Sequence, residues 1–113
     1  MAKYECTLRG DFDEILAQFH SGILEGSASA SFEDGSDFRQ GALRCAVRVY
    51  ERYSMFGGNR VSLNITLAQG EEGNIFFTAI TSGGSQAVLF KINTVGEETF
   101  LECAVRLVEP YQY

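Results

Sequence analysis

Two long stretches of alternating side chains, joined by a short turn, constrain the fold of this sequence more than any other feature. ALRCAVRVYERY at 42–53 and RVSLNITLA at 60–68 each place apolar residues at every second position. This period is typical of a strand with one buried face, and short loops between successive strands favour antiparallel hairpins. The sequence predicts that the core-facing apolar set of the first stretch is Leu43, Cys45, Val47 and Val49.

Helical periodicity appears near both ends of the chain. After an alternating strand at 3–9, Asp11 and Glu14 form a capping-box-like start to a helix that ends at Gly22 or Gly26. A second capping box, Thr94 with Glu97, begins a helix that Pro110 stops. The two apolar stripes are Phe12, Ile15, Leu16, Phe19 and Ile23, and then Phe100, Leu101, Ala104, Leu107 and Val108.

The segments between these helices predict further strands and turns. SASASFED at 27–34 alternates, whereas DGSD at 34–37 and QGEEGN at 69–74 have the chemistry of turns. NIFFTAIT at 74–81 and QAVLFKIN at 86–93 are apolar on both faces, so we expect their outer sides to be covered.

The predicted fold class is therefore α+β, with residues 1–113 forming one domain. We expect a single curved antiparallel sheet in the order β-α-β-β-β-β-β-α, with both helices packed on one face.

Composition and charge argue against several classes of function. A net charge of −6 opposes general binding to nucleic acid or to anionic lipid, and no long apolar run predicts a membrane span. The first residues lack the apolar segment of a secretory signal, which favours a cytosolic protein. Cys6, Cys45 and Cys103 form no CxxC pair, and we expect them to be small buried residues in a reducing compartment.

The glycine-rich run SGGS at 82–85 raises the possibility of a phosphate-binding loop. It is followed by an alternating segment instead of a helix, and neither GxGxxG nor GK[ST] is present. Paired glycines between strands favour a tight hairpin turn. A sharper hypothesis is that Ser82, Ser85 and Gln86 present polar groups at the mouth of a pocket near the second helix.

A row of arginines is the most informative surface feature. Arg44, Arg48 and Arg52, with Tyr50 among them, share one side of the predicted strand. One interpretation is a solvated sheet face with cross-strand ion pairs to glutamates. The other is a site for an anion or a protein partner, since arginine favours planar carboxylate and phosphate groups. Together with two strands that are apolar on both sides, it suggests a homodimer that buries part of the outer face.

Other chemistry is not indicated by any motif. His20, the single histidine, lies one position off the first helical stripe and near a helix end, where it suits the helix dipole. It has no partners at metal-ligand spacing, and no nucleophile elbow appears. We predict no metal, no cofactor and no catalytic residue.

The blocks RCAVRVYERYSMFGGNRVSLNITL and ITSGGSQAVLFKINTVGEETFL carry a resemblance that extends over nearly the whole chain. The sequence resembles an uncharacterised family of short proteins from Gram-positive anaerobic bacteria, catalogued as a domain of unknown function. That resemblance implies no activity. The element order is also similar to TATA-binding-protein-like and helix-grip folds, and the latter often enclose an apolar ligand between sheet and helix. The corresponding lining here is Phe12, Phe19, Val47, Leu63, Phe90, Phe100 and Leu107.

Three functional hypotheses follow. The first is a cytosolic binding domain, homodimeric and without catalysis of its own. The second is a helix-grip-like module that binds a small apolar ligand between the C-terminal helix and the sheet, and an anionic ligand at the arginine row is a separate possibility for the binding domain. The third is an enzyme whose residues come together from separate strands.

Overall fold

The computed structural model describes residues 1–53, 59–83 and 99–113. These residues form strand β1 (Ala2–Leu8), helix α1 (Phe12–Glu25), strands β2 (Ser31–Gln40), β3 (Leu43–Tyr53), β4 (Arg60–Gln69) and β5 (Ile75–Gly83), and helix α2 (Phe100–Val108). The strands make one antiparallel sheet in the order β1-β5-β4-β3-β2. The fold is α+β, as the sequence predicts, with both helices on one face of the sheet.

Helix α1 follows from local signals. The Asp11 carboxylate accepts a hydrogen bond of 2.9 Å from the Glu14 backbone N–H and caps the first turn. The predicted stripe is buried against the sheet, except that Leu16 is half-buried. The helix ends at Glu25 with Gly26 as its C-cap, which decides between the two glycines that the sequence offers.

Helix α2 is capped by Thr99, whose Oγ1 accepts a hydrogen bond of 3.0 Å from the Glu102 backbone N–H. Phe100, Ala104 and Val108 are buried, and Pro110 follows in a short 3-10 turn, so the predicted stop is confirmed. The predicted capping box of Thr94 and Glu97 lies outside the described residues. Neither described helix is long and apolar enough to cross a membrane.

The predicted turn at DGSD is wrong. Residues 34–37 lie inside β2, which pairs with β3 over its whole length. The cross-strand hydrogen bonds of this ladder outweigh the local turn preference, and the irregularity is confined to a shift of register between Phe32 and Asp34. The chain instead turns at Gly41, whose φ of 59° lies in the left-handed region that favours glycine. The strand also begins at Ser31, later than the predicted start at residue 27.

The sheet has two unlike faces, which we call the helix-covered face and the open face. On the helix-covered face, β4 and β5 contribute a continuous apolar layer beneath α1 and α2. Its members are Val61, Leu63, Ile65, Leu67, Ile75, Phe77 and Ala79. The open face has no helix on it among the described residues.

Strand β3 faces the opposite way from the sequence expectation. Ala46 and Tyr50 are fully buried beneath the helices, so Cys45, Val47 and Val49 belong to the open face. The arginines share the helix-covered face because their long stems pack on aromatic rings while their charged heads reach the margins. The guanidinium carbon of Arg44 lies 4.1 Å from the ring centroid of Phe12, and that of Arg52 lies 4.7 Å from the ring centroid of Phe100.

Strand β5 is apolar on both sides, as predicted, but its outer side is exposed in the single chain. Phe77 is 2 % exposed in the core, whereas its neighbour Phe76 is 58 % exposed on the open face. The other strand predicted to be apolar on both faces, QAVLFKIN, lies outside the described residues. Phe76 and Ile80 therefore leave an apolar surface on the side away from the helices.

Candidate interaction surface

The open face gathers most of the large apolar side chains that are exposed in the described residues. The described residues include eight exposed large apolar side chains, and five of these lie on the open face. Half-buried Cys45, Val47, Val49 and Ala68 lie between them. The five are Phe38, Leu43, Tyr53, Phe76 and Ile80. An apolar surface of this extent on a folded domain indicates an interaction site.

A groove of about 520 Å³ lies at one end of this face, where the β2–β3 and β4–β5 turns meet. Its apolar part comes from Phe38 and Leu43 on one side and from Phe76 on the other, with small residues between them. The full lining is Phe38, Arg39, Gln40, Leu43, Arg44, Cys45, Ala68, Gln69, Gly70 and Phe76. The lining includes Arg39 and Arg44, which by register belong to the helix-covered face, and it includes no carboxylate.

A second groove, of about 350 Å³, lies beside the first towards β1. Ala68 and Phe76 line both grooves. The rest of its lining is more polar: Glu5, Cys6, Thr7, Thr66, Phe77 and Thr78. The Phe76 ring is thus the larger of the two side chains shared by the two concave parts of the open face.

The arginines of the predicted row each have a different partner. Arg44 donates two hydrogen bonds to the Asp13 carboxylate, of 2.8 and 3.1 Å, and this pairing lowers the pKa of Asp13. Arg48 donates to Asp37 at 3.0 Å and to the backbone carbonyl of Val47 at 2.8 Å. The ion pairs expected for a solvated face are thus present for Arg44 and Arg48, but with aspartates and on the helix-covered face.

Tyr50 lies in a cluster that the sequence did not reveal. Its ring is fully buried, and its hydroxyl lies 2.9 Å from Nδ1 of His20 on α1. The Phe32 ring packs on both, at centroid distances of 5.4 Å from His20 and 5.8 Å from Tyr50. The one available signal is that His20 sits beside the apolar stripe of α1, which points it at the flank of the core. The pair satisfies a buried hydroxyl.

Burial of Tyr50 makes the fold sensitive to alkaline pH. Desolvation raises the pKa of Tyr50 to about 12, with the nearby Arg48 charge acting in the opposite direction. The unfolded chain ionises this tyrosine from its ordinary value of 10.0, so its contribution is complete below about pH 10 and is lost towards pH 12. We expect a loss of about 2 kcal/mol in the free energy of unfolding across that window.

The Tyr50→Phe variant tests this expectation by urea unfolding at several pH values. It should be less stable than the parent by about 1 kcal/mol at neutral pH, because the hydroxyl hydrogen bond is lost. Its stability should then fall less steeply above pH 10. Tyr53→Phe is the matched control, since that side chain is 53 % exposed and should leave the alkaline profile unchanged. Parallel profiles for parent and Tyr50→Phe would contradict the assignment.

Of the three polar residues predicted to lie at the mouth of a pocket, only Ser82 is among the described residues. Ser82 lies near the end of β5 on the open face, and its Oγ is 2.9 Å from Oγ of Ser62 on β4. Gly83 has a φ of 95°, a conformation that favours glycine at this point. Ser85 and Gln86, and with them the second half of the predicted SGGS turn, lie outside the described residues.

The three cysteines are free thiols. Cys103 is buried in the core, and Cys6 and Cys45 are half-buried. Burial raises the pKa of the Cys6 thiol, and hydrogen bonds from Tyr4 and Gln112 act in the opposite direction. Within the described ranges, no group of three or more His, Cys, Asp or Glu side chains is arranged to hold a metal ion.

The space proposed for an apolar ligand beneath α2 is occupied by side chains of the core. Phe12, Phe19, Leu63 and Phe100 are each at most 3 % exposed and belong to one packed cluster. Val47, assigned to the same lining, lies on the open face instead. Phe90 lies outside the described residues.

Comparison with known proteins adds one finding. Residues 1–112 match the model described as "Family of unknown function (DUF6054)". Neither a curated protein nor a solved structure matches the chain.

Proposed function

Because the chain belongs to the family of unknown function DUF6054, whose description names no activity, we propose from the geometry that it acts by binding, as a homodimer whose open faces pack together. The observation that carries this proposal is the concentration of exposed apolar side chains on the face that has no helix among residues 1–53, 59–83 and 99–113. Burying Phe76 and Ile80 against a second copy removes apolar area from water, which stabilises the association.

The size of the open face supports the proposal. Five strands about 4.8 Å apart, with about nine residues each at about 3.3 Å per residue, span about 700 Å². A stable interface of standard size takes about 800 Å² from each partner. Two open faces in contact would therefore bury an area close to this standard, without using any other part of the surface.

The distribution of charge on the open face also supports self-association. Lys3 and Glu5 lie on the edge strand β1, and the Glu51–Arg60 ion pair lies at one end. The centre of the face carries uncharged side chains, among them Val47, Thr66 and Thr78. An apolar or neutral centre with charges at the rim is the usual anatomy of a protein interface. This arrangement allows two chains of net charge −6 to associate without repulsion between like charges at the centre of the interface.

The proposal also includes the cellular location of the protein. Three free cysteines favour a reducing compartment, which supports a cytoplasmic location. The similarity to TATA-binding-protein-like and helix-grip folds likewise rests on element order, with one sheet holding α1 and α2 on one face. Within that architecture, the proposed partner binds on the side away from the helices.

Ile80→Lys tests the dimer. Ile80 is 36 % exposed on the open face, so the variant should fold, and in a symmetric dimer each interface would receive two added charges. Sedimentation equilibrium should give twice the 12.5 kDa mass of one chain for the parent and one chain mass for the variant. We expect the dissociation constant to rise by about 30-fold or more, the effect of losing a central contact of about 2 kcal/mol.

The matched control is Ala17→Lys, which adds the same charge at an exposed position of α1. It should leave the dimer intact. A parent that sediments as one chain at high micromolar concentration would end the proposal. Equal weakening by both lysines would also contradict it, because the effect would then come from net charge and not from the open face.

A further inference from the structure

We propose further how the two copies of the dimer join, an inference that rests on the proposed function. A two-fold axis runs along β4, and the Phe76 ring of each copy occupies the groove of the other. In such an interface the same surface serves both copies, so every contact off the axis occurs twice. Phe76 has two roles in this arrangement, because it forms one wall of its own groove and fills the groove of the second copy.

The groove follows one row of side chains across the open face. Cross-strand pairing sets Thr7, Phe76, Ala68, Cys45 and Phe38 side by side from β1 to β2. The two rings stand on either side of a base formed by the small residues, in a groove of about 520 Å³. Strands lie about 4.8 Å apart, so the rings on β5 and β2 are separated by about 14 Å. One further ring can therefore lie between them.

A two-fold axis along β4 brings a ring of the second copy onto this base. It exchanges the two edges of the sheet, so β4 faces β4, while β5 faces β3 of the second copy and β1 faces β2. Within the row, Phe76 then lies over Cys45 of the second copy and beside its Ala68. Interfaces pack as densely as protein interiors, which favours a large side chain over a small one.

A two-fold axis across the strands leaves the groove empty. It sets each strand on its own counterpart, so Phe76 on β5 meets only β5 of the second copy and never the base on β4 and β3. When the row of Thr66 and Thr78 lies on that axis, Glu5 also faces Glu5 of the second copy. Like charges placed opposite each other weaken an interface. The axis along β4 avoids both costs.

The charges at the rim of the open face agree with the axis along β4. A second row runs from Lys3 on β1 through Ile80, Asn64 and Val49 to Asp34 on β2. Because that axis exchanges β1 and β2, Lys3 faces Asp34 of the second copy at both edges. Asn64 faces its own counterpart, and two amides hydrogen-bond each other. Sheets packed face to face keep their strands within about 30°, and the long lysine side chain spans the resulting shift at the rim.

Charge exchange tests the pairing of β1 with β2, with the dissociation constant measured by sedimentation equilibrium. Lys3→Glu should weaken the dimer about tenfold, because two attractions become two repulsions. Adding Asp34→Lys to Lys3→Glu should restore the parent value to within about threefold, as coupled positions do. Adding Glu5→Lys instead is the matched control. It gives the same net charge and keeps opposite charges side by side on β1, yet it should leave the dimer weak.

Isotope-filtered NOE spectra test the position of the Phe76 ring. The sample is a mixture of labelled and unlabelled parent chains, in which only contacts between copies are observed. The ring protons of Phe76 should contact the methyl groups of Ala68 and Leu43 in the other chain, because both residues line the groove. An axis across the strands gives contacts from Phe76 to β5 residues such as Ile80 instead.

Three results would overturn this arrangement while leaving the dimer in place. They are an unchanged dissociation constant in Lys3→Glu, equal dissociation constants for the two double variants, and NOE contacts between Phe76 and Ile80 of different copies. A parent that sediments as one chain would overturn the dimer as well, so the two failures are distinguishable. Circular dichroism first confirms that each variant folds, which we expect because Lys3, Glu5 and Asp34 are exposed.

Discussion

Phe19→Ala is expected to lower the free energy of unfolding by about 3–5 kcal/mol, the usual cost of removing a buried ring. Phe19 is 1 % exposed at the centre of the interface between α1 and the sheet. Its ring centroid lies 6.1 Å from that of Tyr50 and 5.8 Å from that of Phe77. A small domain has about 5–15 kcal/mol of stability, so this loss is a large part of the total. Urea unfolding should show a lower midpoint with an unchanged slope.

Phe38→Ala provides the matched control, because the same atoms are removed from a side chain that is 62 % exposed. Its effect on stability should stay within about 0.5 kcal/mol, as at other surface positions. Both measurements belong in the Ile80→Lys background, so that loss of self-association does not contribute. Similar losses of stability for Phe19→Ala and Phe38→Ala would contradict the assignment of Phe19 to the buried, helix-covered face and of Phe38 to the exposed, open face.

The helices could be predicted from sequence because their signals are local. Asp11 accepts its capping hydrogen bond from the backbone N–H of Glu14, only three residues along the chain. The apolar stripe of α1 likewise repeats within one element. Thr99 shows the limit of this approach. It caps α2 with Glu102 three residues later, a spacing that Thr94 and Glu97 also satisfy, so spacing alone leaves the starting residue open.

The facing of β3 could not be predicted because alternation defines two sides without saying which is inside. Cys45, Val47 and Val49 make the more apolar set, yet contacts with distant elements turn the other set towards the helices, where Ala46 and Tyr50 are buried. Tyr50 reaches His20, thirty residues away in the chain, and Arg44 reaches Asp13 from thirty-one. A simple pattern of apolar and polar residues counts tyrosine and arginine as polar, although the tyrosine ring and the arginine stem are apolar.

The open face was partly predictable and the groove was not. Alternation within NIFFTAIT places Phe76 and Ile80 on the side opposite Phe77, and this outer apolar side is present. The groove, however, joins residues 38–45 of one hairpin to residues 68–76 of another. These segments meet only because β3 and β4 pair in a particular register, which brings Cys45 opposite Ala68. A single sequence carries no direct record of that pairing.

Ala46→Asp should prevent folding, and it tests the facing of β3 directly. Ala46 is fully buried between the sheet and the helices, with Leu67 opposite it on β4 and Asp37 opposite it on β2, so a new carboxylate would lose its water and lie beside an existing carboxylate to which Arg48 is already paired. An unpaired buried charge costs at least about 4 kcal/mol, most of the stability of a small domain. Circular dichroism and the soluble yield report the loss. Ala46→Ser, which buries a hydroxyl instead of a charge, should remain folded and lose about 1–3 kcal/mol, so that the effect can be measured by urea unfolding.

Val47→Asp is the decisive companion, because it introduces the same carboxylate one residue along the same strand. In the Ile80→Lys background, where the open face is not covered by a second copy, the charge stays in contact with water, so the variant should fold with a loss of about 1 kcal/mol from the poor strand preference of aspartate. The two positions exchange roles if β3 is turned over. A folded Ala46→Asp beside an unfolded Val47→Asp would place Cys45, Val47 and Val49 beneath the helices. It would also remove the apolar centre from the proposed dimer face, since its contribution from β3 would then be Arg44, Arg48 and Arg52.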